Sequence, residues 1–139
     1  MVETNPLPTP PLAAYLTIRG AAELVEFYKQ AFGATVNELH HAENGRVMHA
    51  DLTINGGRLM LADEFPEYGN IKDPRSLGGT TSNLFVSLAA PADVDAQIAK
   101  AEKLGAKVVM APEDTFWGAR FGMVADPAGH QWAFSAALK

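Results

Sequence analysis

The feature that most constrains this chain is an internal repeat. Gly33-Ala34-Thr35-Val36 recurs 72 residues later as Gly105-Ala106-Lys107-Val108, and the same displacement carries Ile54-Asn55-Gly56-Gly57-Arg58 onto Asp126-Pro127-Ala128-Gly129-His130. Self-similarity at a fixed spacing points to one supersecondary unit built twice. Both of the longer matching stretches are turn chemistry between two apolar runs, with Gly available wherever φ must be positive.

Each half then reads in the same order. A short strand over about 13–18 is matched by one over 83–88. A helix over about 21–32 carries Leu24, Phe27, Tyr28, Ala31 and Phe32 on one face, and its match over about 92–104 carries Val94, Ile98, Ala101 and Leu104. Gly33 and Gly105 stop these helices. Three strands follow in each half, over about 35–42, 46–54 and 58–64, and again over 107–113, 119–125 and 130–137. Asn44-Gly45 between the first two is a two-residue hairpin signal. The order is βαβββ, twice, in an α+β fold. A sheet of this kind has one face covered by its helix and needs something for the other. Two copies can turn their open faces toward a shared concave, partly closed cavity with the helices outside.

The halves are modules over about 12–64 and 82–137 of a single domain spanning 12–137. Between them, 65–81 is rich in Gly, Pro and polar residues and reads as a linker or lid. Four prolines between Pro6 and Pro11 make 1–11 an extended, mobile leader. The net charge of -5 argues against nucleic acid, which needs a basic face. The absence of cysteine removes disulfides, zinc–thiolate sites and a thiol nucleophile, and fits a cytoplasmic protein. No signal peptide opens the sequence, and no apolar run approaches the ~20 residues that span a bilayer, so no membrane partner is expected.

The two βαβββ modules, with "IRGAAELVEFYKQAFGA" in the first and "WGARFGMVADPAGHQW" in the second, resemble the vicinal oxygen chelate superfamily of glyoxalase I, fosfomycin and bleomycin resistance proteins and extradiol dioxygenases. The Asp-Pro-x-Gly-His turn after Trp-Gly-x-Arg-x-Gly is similar to its PhnB-like branch. Metal-using members place His, Gln or Glu on the first and last strands of each module. Carried over, those positions fall on Ala13, Leu61, Asn83 and Ala133, and only Asn83 offers an oxygen. First-row metals at such sites want three or four N or O donors. The resemblance therefore implies the fold, while these residues lead us to expect no metal and no cofactor.

If those four positions face the cavity, alternation brings Tyr15, Thr17, Leu59, Asp63, Phe85, Ser87, Gln131 and Ser135 with them. Resemblance to the fosfomycin-resistance branch adds Met123 and Phe121, whose repeat equivalents are Asp51 and His49. An Asn44-Gly45 hairpin sets His40 opposite His49 and Glu38 opposite Asp51. The expected ligand-binding set is Tyr15, Thr17, Glu38, His40, His49, Asp51, Leu61, Asn83, Phe85, Trp117, Phe121, Met123 and Gln131. One wall is polar and the other apolar and aromatic, with Met110 and Trp117 beside Phe85, Phe121 and Met123. Asp126 reads as a turn former, His130 as its support, Trp132 as core, and Arg120 as an outward ion-pairing residue.

Three functions remain open on this reading. The first is a metal-free binder of a flat, partly apolar small molecule, as in the bleomycin-resistance branch, most simply as a homodimer. The second is a metal-dependent lyase, isomerase or transferase, with Glu38, His40, His49 and Asp51 as an unusual donor set. The third is a metal-free enzyme with His49 or Asp51 as catalytic base.

Overall fold

The structure is a computed structural model that describes residues 2–4 (as backbone), 7–69 and 71–139. Met1, Asn5 and Pro6 of the leader and Asn70 of the intervening segment lie outside the described residues. The chain divides into two compact units, Met1–Gly78 and Gly79–Lys139.

The first unit runs β1 (Val2–Thr4), β2 (Ala14–Ile18), α1 (Ala21–Phe32), β3 (Thr35–His41), β4 (Val47–Ile54), β5 (Gly57–Asp63), a 3-10 turn over Pro66–Tyr68 and the short helix α2 (Pro74–Leu77). Its sheet has the order β1-β3-β4-β5-β2, with β2 and β5 parallel and the other neighbours antiparallel. The second unit runs β6 (Asn83–Ser87), α3 (Pro91–Lys103), β7 (Lys107–Asp114), β8 (Ala119–Ala125) and β9 (Gln131–Ala137), in the sheet order β6-β9-β8-β7 with only β6–β9 parallel. The expected α+β architecture of two βαβββ modules is therefore present, and nearly every element lies within a residue or two of its expected place. Two elements were not anticipated: the edge strand β1, made from the leader and paired to β3, and α2 inside the intervening segment. The second has a sequence signal, since Asp73 is its N-cap and Pro74 its first helical residue.

Helix α1 buries Leu24, Val25, Phe27, Tyr28, Ala31 and Phe32 against β2, β4 and β5, with Tyr28 and Phe32 stacked at 5.8 Å. Its N-cap is Gly20, which has no side chain to satisfy the first N–H groups. Asp63, at the end of β5, does so instead: Oδ1 accepts from Gly20 N (2.8 Å) and Ala21 N (3.1 Å), and Oδ2 accepts from Val47 N (2.7 Å). Helix α3 buries Val94, Ile98 and Ala101, while Leu104 falls at its C-cap and is exposed. In the second unit Asp126 explains its turn. Its Oδ1 accepts from Ala128 N (2.9 Å) and His130 N (3.1 Å), and its Oδ2 accepts from the Trp132 indole N–H (3.0 Å). The carboxylate thus ties the reversal to the buried tryptophan of the strand it starts.

Three turns decide which side chains face where. The β3–β4 connection is not a two-residue hairpin. Gly45 N donates to Ala42 O and Ala42 N to Arg46 O, which makes a three-residue loop with Gly45 alone at positive φ (84°). A two-residue type I′ turn needs positive φ at both central residues, and Asn44 does not supply it. That turn occurs instead at Asn55-Gly56 (φ 51° and 81°), between Ile54 and Gly57. Its repeat partner is one residue longer, because Asp126 N donates to His130 O across Pro127, Ala128 and Gly129.

The extra residue breaks the 72-residue register beyond the turn. Asp51 stands opposite Met60, whereas its equivalent Met123 stands opposite Ala133. Since side chains alternate, one residue flips the whole strand. Leu61 is therefore not on the open face. Together with Leu59 and Asp63 it lies buried on the helix side with Leu16 and Ala50, and Arg58, Met60 and Ala62 face outward in their place.

Candidate functional site

The open face of the first sheet is polar at one end and apolar at the other. Strand register puts Tyr15 beside Met60, Met60 beside Asp51, and Asp51 beside Glu38, while His40 stands opposite His49 as expected. Two bulges shape this face. Asn37 is an extra residue between Val36 and Glu38, and Met48 is an extra residue between Val47 and His49.

Asp51 sits at the centre, almost fully buried. Its Oδ1 accepts from Arg58 Nε (2.9 Å) and Asn37 Nδ2 (3.2 Å), and its Oδ2 accepts from Arg58 Nη2. The Arg58 guanidinium, then Asn37, hold the Asp51 carboxyl below its ordinary range against the opposing effect of burial. Asp51 is thereby an anchor of an ion pair, and its basicity is reduced by the same contacts. Arg58 also reaches the carbonyl of Pro8 (2.9 Å), which fixes the leader at that point.

His49 is differently placed. Its Nδ1 is 2.9 Å from the Tyr15 hydroxyl, and its ring stacks on His40 at 6.2 Å between centroids and 25° between planes. His40 Nε2 in turn meets Glu38 Oε1 at 3.1 Å. Tyr15 lies on β2 and His49 on β4, so the phenol leans across β5 to make this bond. Burial pushes the Tyr15 phenol up from its ordinary value.

Beyond Tyr15 opens a cavity of about 360 Å³ lined by Tyr15, Thr17, Met48, Ala62, Asp63, Phe65, Tyr68, Gly69 and Ile71. Its outer wall is the segment after β5, whose path the sequence did not disclose. Polar ties pin that segment. Glu64 accepts from Asp73 N (2.6 Å) and Ser76 Oγ (2.7 Å), and both contacts hold its carboxyl low. Buried Asp73 accepts from Arg19 N (2.8 Å) and pairs with Arg75. Arg46 lies 4.1 Å over the Phe65 ring and pairs with Glu67 at 2.6 Å. The segment is a built wall of the first unit over its described residues.

In the second unit Asn83, Phe85, Gln131, Phe121 and Met123 share one face, as expected, and Trp117 joins them through an edge contact with Phe121 at 6.0 Å. This face is apolar and open, with Phe85 65% and Trp117 59% exposed. Arg120 points away and pairs with Asp95 and Asp114, and Trp132 is core.

The metal positions of the resembled family do not fit a metal here. With the register corrected they hold Ala13 and Met60 in the first unit and Asn83 and Ala133 in the second, a set with one amide oxygen and a thioether. Of the alternative donors, Asp51 is committed to Arg58 and His49 Nδ1 to Tyr15, while Glu38 and His40 bond to each other. Among the described residues no group of three or more His, Cys, Asp or Glu could hold a metal ion. No helix among them is long and apolar enough to cross a membrane. The residues that sequence reasoning missed are Arg58, Asn37 and Met60 on the face, and Phe65, Tyr68 and Ile71 on the wall.

Comparison with known proteins places this geometry. Residues 12–134 match the family model described as the Glyoxalase/Bleomycin resistance protein/Dioxygenase superfamily. A protein of Mycobacterium tuberculosis, described only as uncharacterized, is 39% identical over 94% of this chain and 76% of its own length. Among solved structures, the PhnB protein of Bacillus cereus, titled a putative 3-demethylubiquinone-9 3-methyltransferase, aligns with a TM-score of 0.73 over 92% of this chain and all of that one, at 20% identity. The fosfomycin resistance protein FosX of Listeria monocytogenes, solved with manganese and sulfate, aligns with a TM-score of 0.70 over 94% of this chain and 92% of that one, at 11% identity. At these identities the two structures show the shared fold alone.

Proposed function

The chain belongs to the glyoxalase/bleomycin resistance protein/dioxygenase superfamily, and from that premise we propose that it is a metal-independent binder of a flat, partly apolar small molecule. The observation that carries this reading is the 360 Å³ cavity, whose walls are the rings of Tyr15, Phe65 and Tyr68 with Met48, Ala62 and Ile71. Cavities of this size, mostly apolar with a few convergent polar groups, hold drug-sized ligands. The polar groups in its lining are the Tyr15 and Tyr68 hydroxyls, Thr17 and Asp63, and His49 stands behind Tyr15 as its hydrogen-bond partner. The donor set at the family's metal positions supports a metal-independent mode. Phe85, Met110, Phe116 and Trp117 of the second unit are large apolar side chains left exposed, and they support a homodimer.

A second reading has one observation in its favour. The Tyr15–His49 hydrogen bond orients an imidazole as an acid–base group, so a metal-free enzyme would use His49; Asp51, locked to Arg58, is the weaker base.

The test is elemental analysis of the protein as purified and after soaking in zinc, nickel and manganese, alongside thermal shifts with planar aromatic compounds. The reading expects no stoichiometric metal and a higher melting temperature with aromatic ligands. One tightly held metal per chain would overturn it.

A further inference from the structure

Resting on that binding reading, we infer that the Tyr15 phenol, tied to His49, is the partition that ends the cavity against the polar half of the open face and so determines which ligands fit, admitting a compact aromatic and turning away one extended along the sheet. On one side of Tyr15 lie Thr17, Ala62 and Met48 of the sheet, which line the cavity with Phe65 and Tyr68 of the wall. Beyond it, Met60 pairs with Tyr15 on β2 and with Asp51 on β4, and Arg58 lies two residues further back on β5. Met60, Asp51 and Arg58 are not among the described lining residues. Yet Arg58, Met60 and Ala62 point outward from one strand, so the sheet surface is continuous beneath them. What divides it is the side chain of Tyr15.

The pose of that side chain is set by its hydrogen bond. With Tyr15 on β2 and His49 on β4, a phenol oxygen 2.9 Å from Nδ1 has to lie across β5 rather than rise into solvent. Continuing the β4–β5 register one residue past Ala50 and Leu61 sets Ala62 opposite His49, and the lone methyl of Ala62 leaves room for a ring to pass above it. Tyr15 is 53% exposed, so packing alone does little to keep it there. The tie does not depend on the tautomer of His49, because the phenol oxygen can donate to Nδ1 or accept from it. His49 is braced in turn by the stacked His40, whose Nε2 meets Glu38 Oε1 at 3.1 Å. The bar thus draws on β2, β4 and β3 at once.

The consequence is a limit on ligand length. Apolar surface buried on binding raises affinity, and half-buried Met60 would be the next stretch of apolar floor for a ligand that reached it. An added ring that points along β5 toward Met60 runs into the phenol, and one that points away from the sheet stays in water. An extended aromatic therefore gains little over a compact one until the partition is removed or untied.

The test is a fluorescence titration of the full chain with naphthalene and 2-phenylnaphthalene, in the wild type, Tyr15→Ala, Tyr15→Phe and His49→Ala. Both probes are hydrocarbons, so they differ in length and not in hydrogen bonding. Burial of the extra ring would by itself favour the longer probe by about tenfold or more. The inference expects the wild type to bind the two within about threefold of each other. Tyr15→Ala, which removes the partition, should shift the affinity ratio toward the longer probe by about tenfold. Tyr15→Phe and His49→Ala, which keep the ring and remove only the tie, should each shift it the same way by about threefold. A ratio is insensitive to a general loss of affinity, and an unchanged melting temperature shows that each variant is folded. A wild type that prefers the longer probe by about tenfold, or a ratio that the two untied variants leave unmoved, would overturn the inference and leave the binding reading standing. Binding of neither probe would remove the binding reading, and this inference with it.

Discussion

Replacing Arg58 with Ala should expose the electrostatic centre of the first sheet. The Asp51 side chain is 3% exposed and the Arg58 side chain 15%. Removing the guanidinium takes away both of its contacts to Asp51 and leaves the carboxylate bonded to the Asn37 amide. Breaking a buried pair in this way costs about 3–5 kcal/mol. The surviving Asn37 bond and the partial exposure of Arg58 put this case at the low end, about 3 kcal/mol at pH 7. Urea unfolding measures it.

The pH dependence gives the argument a sign. In the wild type the Asp51 carboxyl is held below its ordinary value, so its contribution is complete above the unfolded value of about 3.9 and is lost as pH falls through the folded one. In Arg58→Ala a buried, unpaired carboxylate is pushed above its ordinary value, so its penalty is present near neutral pH and is relieved as the group protonates. The stability gap between the two proteins should therefore narrow from pH 7 to pH 4. Asp51→Asn combined with Arg58→Met, which removes both charges, should recover most of the loss at pH 7. A gap below about 1 kcal/mol at pH 7, or one that stays constant with pH, would refute the reasoning.

Three further substitutions test the two sides of the first sheet and the helix side of the second. Leu61→Ala should cost about 2–5 kcal/mol in urea unfolding, since Leu61 is fully buried, and leave aromatic binding unchanged once folded; Met60→Ala, at a half-buried position on the open face, should cost only about 1 kcal/mol. The reverse pattern would restore the uncorrected repeat register. Gly122→Ala should cost about 1–3 kcal/mol, because its new methyl would stand 2.3 Å from Ile98 Cδ1 with backbone of Met110 and Pro112 at 3.2 and 3.3 Å behind it; an unchanged unfolding midpoint would show that α3 and β7 yield more readily than their packing implies.

What the sequence disclosed and what it withheld divide along a physical line. Elements whose signals are local were legible. The α1 stripe of Leu24, Phe27, Tyr28, Ala31 and Phe32 and the strand pattern follow from period, whereas His40 meets His49 as expected only because the Met48 bulge shifts the register back by the one residue that the three-residue loop had moved it. Facing was legible wherever register was continuous, as for Phe85, Phe121, Met123 and Gln131. It failed at β5 because a repeat fixes spacing only between insertions. Asn55-Gly56 closes its hairpin with two residues and Pro127-Ala128-Gly129 closes the equivalent one with three, and a sheet turns that single residue into the exchange of Leu61 for Met60. The Asn-Gly pair at 55–56 was the available sign, yet the same dipeptide at 44–45 makes a three-residue loop, so the dipeptide does not determine turn length by itself. Arg58 was missed for the same reason, since its role depends on facing Asp51. The wall made by Phe65, Tyr68 and Ile71 was hidden differently. Its path is set by Glu64, Asp73, Ser76 and Arg46, polar residues that resemble any solvated loop until their partners are known. The polar face could be read from strand arithmetic, but the apolar cavity beside it depends on long-range hydrogen bonds with no period, and the two meet at Tyr15.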